Sequence, residues 1–452
     1  MERLTRRRFL AGTAAGLTAT ILPRNVFGAN DKLCHAAIGS GGMGGGDLAA
    51  IKSHPKAQIV ALCDVDAARL KAAAAKYQGA RTYADWRQML EEEGDKIDSV
   101  NVSTPDHTHA PATMSALRRK KHVYCQKPLC HDVFECRAVA EATRAAGVVT
   151  QLGTQAASGI GDRMAVLFLR QGVIGKARRA ILCSNRPGAI QTYRLEGPRP
   201  PKGDPVPPNL SWDLWLGTAP ERPFANGIYH PVKWRAWQDF GTGWSGDIGC
   251  HIFDAVWKGL RLTAPKTVGA EVQKSWLESP ARRADTWPQG DHITWVFPAS
   301  EATEGDLTIE WFDGEFYPPQ EVQSLAGYEP GKGTYPPESA MVIGTEGVLL
   351  LQHGAGPQLF PKEKFAKLER PKLPGRDHYH HFVDACLGGE KTESHFVQTG
   401  PMAEAILLGT VAIRVPNTVL QWDAANLRVT NSEEAQRLLR RTYRKGWEVP
   451  GL

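Results

Sequence analysis

The feature that most constrains this 452-residue chain is a glycine loop set between a strand-length apolar run and a helical segment. Leu33–Ile38 leads into Gly39-Ser40-Gly41-Gly42-Met43-Gly44, and Gly45–Ser53 continues as a helix. In that position Gly39 permits a tight turn, Gly41 lets the backbone approach a pyrophosphate, and Gly44 lets the helix pack on the sheet. Gly42 and Met43 complete the loop, and the helix N-terminus offers free N–H groups and a positive dipole end to phosphates. A second strand, Gln58–Cys63, ends in Asp64, 25 residues after Gly39. A carboxylate at that strand end accepts hydrogen bonds from ribose hydroxyls and repels a 2′-phosphate, so NAD is expected rather than NADP.

The alternation then continues. Helices are expected at Ala67–Tyr77, Ala110–Arg119 and Val133–Ala146, with strands at Ser99–Ser103, His122–Gln126 and Val148–Gly153. Strands alternating with helices at this spacing require a parallel, doubly wound sheet with right-handed crossovers. Its ligand crevice lies at the carboxyl ends of the strands, which puts Thr104, Pro105, His107, His109 and Lys127 on the cofactor rim. After Gly153 the pattern changes. A helix at Met164–Gln171 and a strand at Ala177–Asn185 precede a Pro/Gly-rich stretch from Pro187 to Pro231, which contains Trp212 and Trp215. A loop of that length with that aromatic content is expected to be functional rather than disordered. Thr267–Trp276, His292–Pro298, Asp306–Phe312, Met341–Ile343 and Val348–Gln352 then read as strands without crossover helices, hence a largely antiparallel open sheet. The expected fold class is α/β plus α+β: a Rossmann domain over 30–155, and a substrate domain over 156–452 whose last helices pack back on the first domain.

The N-terminus reads as an address. Thr5-Arg6-Arg7-Arg8-Phe9-Leu10, a short weakly apolar run and small residues near Gly28-Ala29 have the layout of a twin-arginine export signal, so residues 1–29 are expected to be removed and the protein to be periplasmic. The formal charge of +6 is concentrated there, since residues 1–30 hold five arginines against one glutamate. The remaining body is close to neutral, which argues against nucleic acid as a partner. No later apolar run is read as reaching the roughly 20 residues of a membrane span, and a soluble mature protein is expected. The eight cysteines include no C-x-x-C and read as small buried thiols. No metal site is expected, either at Cys125 and Cys130 with His122 and His131 or in Asp377-His378-Tyr379-His380-His381, where ligands for a complete shell are lacking.

Asp247 and His251 are spaced i, i+4, so on a helix they share a face with Cβ atoms roughly 5–6 Å apart. A carboxylate beside an imidazole orients its tautomer and stabilises its protonated form, which makes His251 the expected general base, Asp247 its orienting partner and Lys127 the group that polarises the alcohol or carbonyl oxygen. Tyr229, Trp234 and Arg235, just upstream, have the composition of a sugar pocket, and His378 opens a helix that is expected to line it.

These residues together resemble the Gfo/Idh/MocA group of sugar and polyol oxidoreductases. The resemblance rests on the glycine loop with Cys63-Asp64-Val65-Asp66, on STPDHTHA at 103–110, on HVYCQKPL at 122–129 and on Gly246-Asp247-Ile248-Gly249-Cys250-His251. Where the family usually has Glu-Lys-Pro this chain has Gln126-Lys127-Pro128. The resemblance implies that Lys127 lies beside nicotinamide and substrate, facing the D-x-x-x-H pair, in an enzyme that passes hydride between the nicotinamide and a sugar hydroxyl. It leaves two further readings open: a glycosidase that uses NAD transiently through a keto-sugar, and a non-catalytic sugar-binding protein. A carbohydrate ligand and a homo-oligomer formed through the open sheet complete the expectations.

Overall fold

The computed structural model describes residues 32–186, 199–200, 202–331 and 333–452, so the segment expected to be a twin-arginine signal lies outside the described residues. Near-continuous apolar runs build the first sheet, as strands covered on both faces require. Its strands are β1 (Leu33–Ile38), β2 (Ala57–Cys63), β3 (Arg81–Tyr83), β4 (Ser99–Val102), β5 (His122–Cys125) and β6 (Thr150–Leu152), all parallel in the order β3-β2-β1-β4-β5-β6. The crossovers are α1 (Met43–Lys52), α2 (Ala67–Lys76), α3 (Trp86–Glu92), α4 (His109–Arg118) and α5 (Val133–Ala146). β3 and α3 were not anticipated. β3 has only three residues, two of them exposed, and so carries no apolar run to read. Asp132 starts α5 with a full capping box, its carboxylate accepting from Glu135 N while the Glu135 side chain reaches back.

Helix α6 (Ile160–Arg170) leads into β7 (Ala177–Ser184), which seeds a nine-stranded sheet. The other strands are β8 (Thr267–Val272), β9 (Asp291–Phe297), β10 (Thr303–Asp313), β11 (Glu338–Gly344), β12 (Val348–Gln352), β13 (Gln358–Phe360), β14 (Leu420–Asp423) and β15 (Arg428–Val429). Their order is β13-β12-β11-β7-β10-β9-β8-β14-β15, with β7 and β10 parallel and the other pairs antiparallel. The sheet is therefore mostly antiparallel, with one parallel pair where β7 enters between its later neighbours. The expected strand Thr267–Trp276 is shorter than read: the chain leaves the sheet at Val272 and makes one helical turn, Lys274–Leu277, that buries Trp276 completely and lets its Nε1 donate to Thr286 O at 2.9 Å.

One face of this sheet is covered by α6, α8 (Gly243–Gly259) and α10 (Phe396–Arg414), with α9 (His378–Cys386) packed on the first domain beside α1. Helix α10 had been given no span, though the last helices were expected to pack back on the first domain. Its 19 residues are apolar enough to cross a membrane by length and composition, a correction to the expectation that no such run exists, but 83% of its apolar window is buried inside the protein. It lies against α5 so closely that a Cβ on Gly400 would meet Ala140 Cβ at 2.7 Å, and Arg137 of α5 holds Glu404 at 2.8 Å. Seven of the eight cysteines are buried, Cys34 is half-buried, and none is in a disulfide.

Candidate active site

The cofactor cradle is built from backbone. Gly39 sits at φ +87°, and a Cβ there would fall 2.4 Å from Ser103 O at the end of β4. A Cβ on Gly44 would fall 2.1 Å from Gly39 O, so the helix can approach the strand only through glycine. Asp64 closes the loop, its Oδ2 accepting from Ser40 N at 2.9 Å and Gly41 N at 3.1 Å. Above the loop opens a cavity of about 350 Å³ lined by Gly39, Gly41, Gly42, Met43, Asp64, Thr104 and Pro105, all expected cofactor contacts. Gly44 lies behind this lining, as a packing residue. Arg69, which carried no motif signal, crosses Gly41 and adds a cation to the cavity wall, its Nε 3.5 Å from Asp66 Oδ2.

The cavity is roofed by the aromatic-rich segment read as functional. The short helix α7 (Trp212–Leu216) follows a stretch pinned to the first domain by Ala67 N donating to Asn209 O and Ser211 N to Val65 O. Trp215, His230, Val232, Trp234 and Arg235 then face the glycine loop across the cavity. Tyr229 does not. It is 1% exposed inside a cluster with Trp212, Trp237 and Phe240, so it stiffens the roof and is not placed to touch a substrate.

Two rim histidines point away from the cavity. His107 is buried between Trp215 and Phe240, with Nε2 hydrogen-bonded to Trp215 O at 3.0 Å, and burial pushes its pKa down to about 3. It ties the roof to the first domain. His109 faces two carbonyls, Pro128 O at 2.6 Å and Thr104 O at 2.8 Å; burial would lower its pKa, but Cys125 and the two carbonyls raise it. This ring braces the Lys-Pro turn from beneath. His378 has the same kind of role, since its nitrogens meet Ser158 Oγ at 2.8 Å and Leu152 O at 3.1 Å, and burial brings its pKa to about 3.

The expected catalytic residues do converge. Lys127 follows β5 at the carboxyl edge of the first sheet, and its Nζ donates to Asp247 Oδ1 at 2.8 Å and to Asp247 O at 3.3 Å. Arg235 Nε, from the cavity roof, lies 3.7 Å from Asp247 Oδ2 and its guanidinium stacks 4.1 Å from the Trp234 ring centre. Burial would raise the Asp247 pKa, but Lys127 and Arg235 hold it below the usual carboxylate range, and Lys127 in turn is held above its ordinary value. His251 lies one turn along α8, its ring 5.1 Å from that of His353, with Nδ1 buried and without a hydrogen-bond partner among the described residues. Burial, Lys127 and His353 push its pKa well down, so the imidazole is neutral. The carboxylate that was expected to orient this imidazole is turned instead toward the lysine.

Two groups had been given no role in the site: Asp106, expected on the cofactor rim with its loop, and His353. Asp106 accepts from Thr242 Oγ1 at 3.1 Å, while its Oδ1 is buried and unpartnered among the described residues. Burial and the charge of Asp247 push its pKa up to about 8, against the pull of Arg235 and Lys127. His353 comes from the loop after β12, with no local pattern to mark it. A third arrangement explains Gln126. Its Nε2 donates to both oxygens of Asp47, at 3.0 and 3.1 Å, while Ser103 Oγ donates at 2.7 Å and Tyr379 OH at 2.9 Å. Asp47 belongs to α1, the helix that starts at the glycine loop. The carboxylate that the motif usually carries before the lysine is thus supplied from across the sheet, and a glutamate at 126 would meet it charge to charge. Among the described residues no group of three His, Cys, Asp or Glu side chains could hold a metal ion.

Comparison with known proteins agrees with this architecture. The chain is 33% identical over 118 residues to an inositol 2-dehydrogenase of Rubrobacter xylanophilus, covering 25% of this chain and 33% of that one. It is 34% identical over 104 residues to a 1,5-anhydro-D-fructose reductase of Ensifer adhaerens, covering 23% and 31%. The matches thus span about a third of the length of these curated relatives. The solved structure of the WlbA dehydrogenase from Bordetella pertussis, in complex with NADH and UDP-GlcNAcA, superposes with a TM-score of 0.57 at 14% identity, covering 87% of this chain and 99% of that one. Residues 35–154 match a family model described as an oxidoreductase family NAD-binding Rossmann fold, and residues 169–286 its companion, the C-terminal alpha/beta domain. With both domains matched, and the glycine cradle and the Lys127–Asp247 pair in place, the chain belongs to the Gfo/Idh/MocA family of oxidoreductases.

Proposed function

We propose that the protein passes hydride between a retained NAD and a hydroxyl-bearing carbon of a sugar or sugar derivative. The observation that carries this reading is the buried Lys127–Asp247 pair beside the roofed cavity, with a neutral His251 one turn further along α8. NAD, when bound, takes up or returns the hydride, and the glycines of the loop with Asp64 would hold it. The protein's own groups manage the proton. A neutral imidazole can take the hydroxyl proton, the Lys127 ammonium can donate a hydrogen bond to the substrate oxygen as charge develops there, and Asp247 keeps that ammonium charged and in place. The names of the relatives, an inositol dehydrogenase and an anhydrofructose reductase, support a polyhydroxylated substrate.

The roof favours a second reading of the same chemistry. A cofactor enclosed by residues 209–235, in a protein sent folded through the twin-arginine route to the periplasm, is suited to being restored within each cycle. Oxidation of a ring hydroxyl, loss of the acidified neighbouring proton with departure of the glycosidic alcohol, addition of water to the resulting enone and re-reduction of the ketone would then cleave a glycoside with no net redox change. Purifying the full chain, releasing its nucleotide by denaturation and screening sugars and glycosides with and without added NAD separates the readings. Net nucleotide reduction marks the dehydrogenase, and turnover without it marks the redox-neutral enzyme. Protein that neither carries nor binds a nucleotide would overturn both. For the expected homo-oligomer we propose the outer face of the nine-stranded sheet, where His292, Thr294 and Val296 of β9 are half-buried; light scattering on the wild type and on a Val296→Lys variant tests it.

A further inference from the structure

A second cavity, of about 320 Å³, lies where the start of α5, roof residues Thr218 and Asp239, the end of α10 and the C-terminal residues 437–442 meet. Its size is at the lower end for small-molecule pockets, about 300–1,000 Å³. None of Lys127, Asp247 and His251 lines it. Its charged lining consists of Arg414, Arg437, Arg440 and Arg441 against Asp132 and Asp239. Both carboxylates are already engaged, Asp132 by the backbone N–H groups of Glu135 and Arg441 and Asp239 by Arg222. Arg441 is held by Glu135 at 2.7 Å, and Arg440 stacks 4.0 Å from the Phe134 ring centre.

Arg414 is different. It is half-buried at the C-terminal end of α10, and among the described residues no hydrogen bond or ion pair engages its guanidinium, whose nitrogens keep contact with solvent. Burial pushes its pKa down, with Asp239 and Glu434 too distant to pair with it but offsetting part of the effect. An unpaired guanidinium on a cavity wall that holds three further arginines leaves that wall suited to receive an anion. An independent observation points the same way. Both ring nitrogens of His131 in the same lining are shut off from solvent and lack a partner; the Gln238 carbonyl faces the ring outside hydrogen-bonding geometry. Burial, Arg441, His107 and Arg414 hold this imidazole neutral, which leaves it one N–H to donate.

We propose that this cavity is a binding site for a phosphate group, received by the planar fork of Arg414 and the N–H of His131, with Arg437 at the solvent side. A tetrahedral oxyanion satisfies a fork and a second donor at once, whereas a neutral hydroxyl leaves the guanidinium uncompensated. The phosphate could come as the free ion or as a sugar phosphate ester. Occupancy would also reach the catalytic loop, because Arg441 Nη2 donates to His107 O at 2.6 Å, next to Asp106.

The test uses the full chain saturated with NAD, so that the glycine cradle is filled. Inorganic phosphate, glucose 6-phosphate and glucose are each titrated at constant ionic strength, with thermal unfolding and calorimetry as readouts. Phosphate or its ester should raise the melting temperature, and Arg414→Gln should weaken that binding at least about tenfold while leaving the phosphate-free melting point unchanged or higher, since it removes an uncompensated charge. Should Arg414→Gln not fold, Arg437→Gln should weaken binding several-fold. The stronger of the two phosphates names the source. Stabilisation no greater than that from chloride, or equal in Arg414→Gln and wild type, or glucose binding that is lost with Arg414, would overturn the proposal.

Discussion

The two walls of the cofactor cavity are made of different material. The loop wall is backbone: Gly39 and Gly44 are held where a single Cβ would collide with a carbonyl oxygen at 2.4 or 2.1 Å. The opposite side leads to charge: Arg235 lines the cavity there, and behind it Lys127, Asp247 and Asp106 are gathered from separated stretches of chain. Steric walls tolerate no gradation, because overpacking against backbone has nowhere to relax. Charge walls are tuned, since every member sets the protonation of the others. The difference teaches that in this chain the charge can be rearranged without touching the glycine turn: the Gln126–Asp47 arrangement keeps a buried carboxylate against residue 126, which is itself an amide.

The largest expected effect tests the charge wall. Lys127→Ala should lower turnover by about 10²–10⁴ with NAD still bound, and should destabilise the fold by about 3–5 kcal/mol because Asp247 is left as a buried charge with only Arg235 at 3.7 Å. Steady-state kinetics with chemical denaturation read both. His251→Ala should lower turnover over the same range, about 10²–10⁴, without the stability loss, since a neutral ring is removed. Because the His251 pKa lies well below the ordinary histidine value, the acid limb of the wild-type rate profile should fall below pH 6.5 rather than at neutrality, and should vanish in the variant. A limb unchanged in His251→Ala would move the base to His353 or Asp106.

A smaller effect sharpens the comparison at its seam. Gln126→Glu should cost about 2–3 kcal/mol by setting a carboxylate against Asp47, and Gln126→Glu with Asp47→Asn should recover most of it, as measured by urea unfolding. No recovery would show that the position of the charge matters more than its count. Gly44→Ala tests the steric wall and should cost about 1–3 kcal/mol with loss of retained nucleotide, read by cofactor release and thermal unfolding. The smallest effect is on pH. His107 and His378 are held near 3 and His35, buried with Ser99 Oγ and Asn101 Oδ1, near 4, so the unfolded chain binds more protons than the fold below about pH 6.5. Stability from these rings is complete above that pH and falls as pH drops toward 4. His378→Asn should flatten the slope of the unfolding midpoint between pH 6.5 and 4.5.

How much of this could be read in the sequence follows from the same division. The glycine turn between β1 and α1 was legible because a steric demand for glycine is local, and α5 has the expected span Val133–Ala146. Lys127, Asp247 and His251 were found through short motifs, yet their pairing was misjudged: the i, i+4 spacing put Asp247 beside His251, while the partner that captures its carboxylate is 120 residues away. Asp106 stood in the STPDHTHA motif but without a role, since only its burial beside Asp247 raises its pKa, and His353, delivered by a loop, carries no spacing signal. His107 and His109 were on the right loop but turned inward, a rotation that the sequence does not encode.

Helix α10 has a consequence for the order in which the molecule can be made. α5 of the cofactor domain, residues 133–146, finds its packing partner at residues 396–414, so that domain cannot close its surface until a segment about 250 residues further along has been made. Such distant pairing slows folding and exposes apolar surface meanwhile. During that interval the most membrane-like segment in the described chain is also the one that the nascent cofactor domain awaits. Chaperone occupancy during synthesis is therefore expected to persist until α10 emerges and then to fall in a single step.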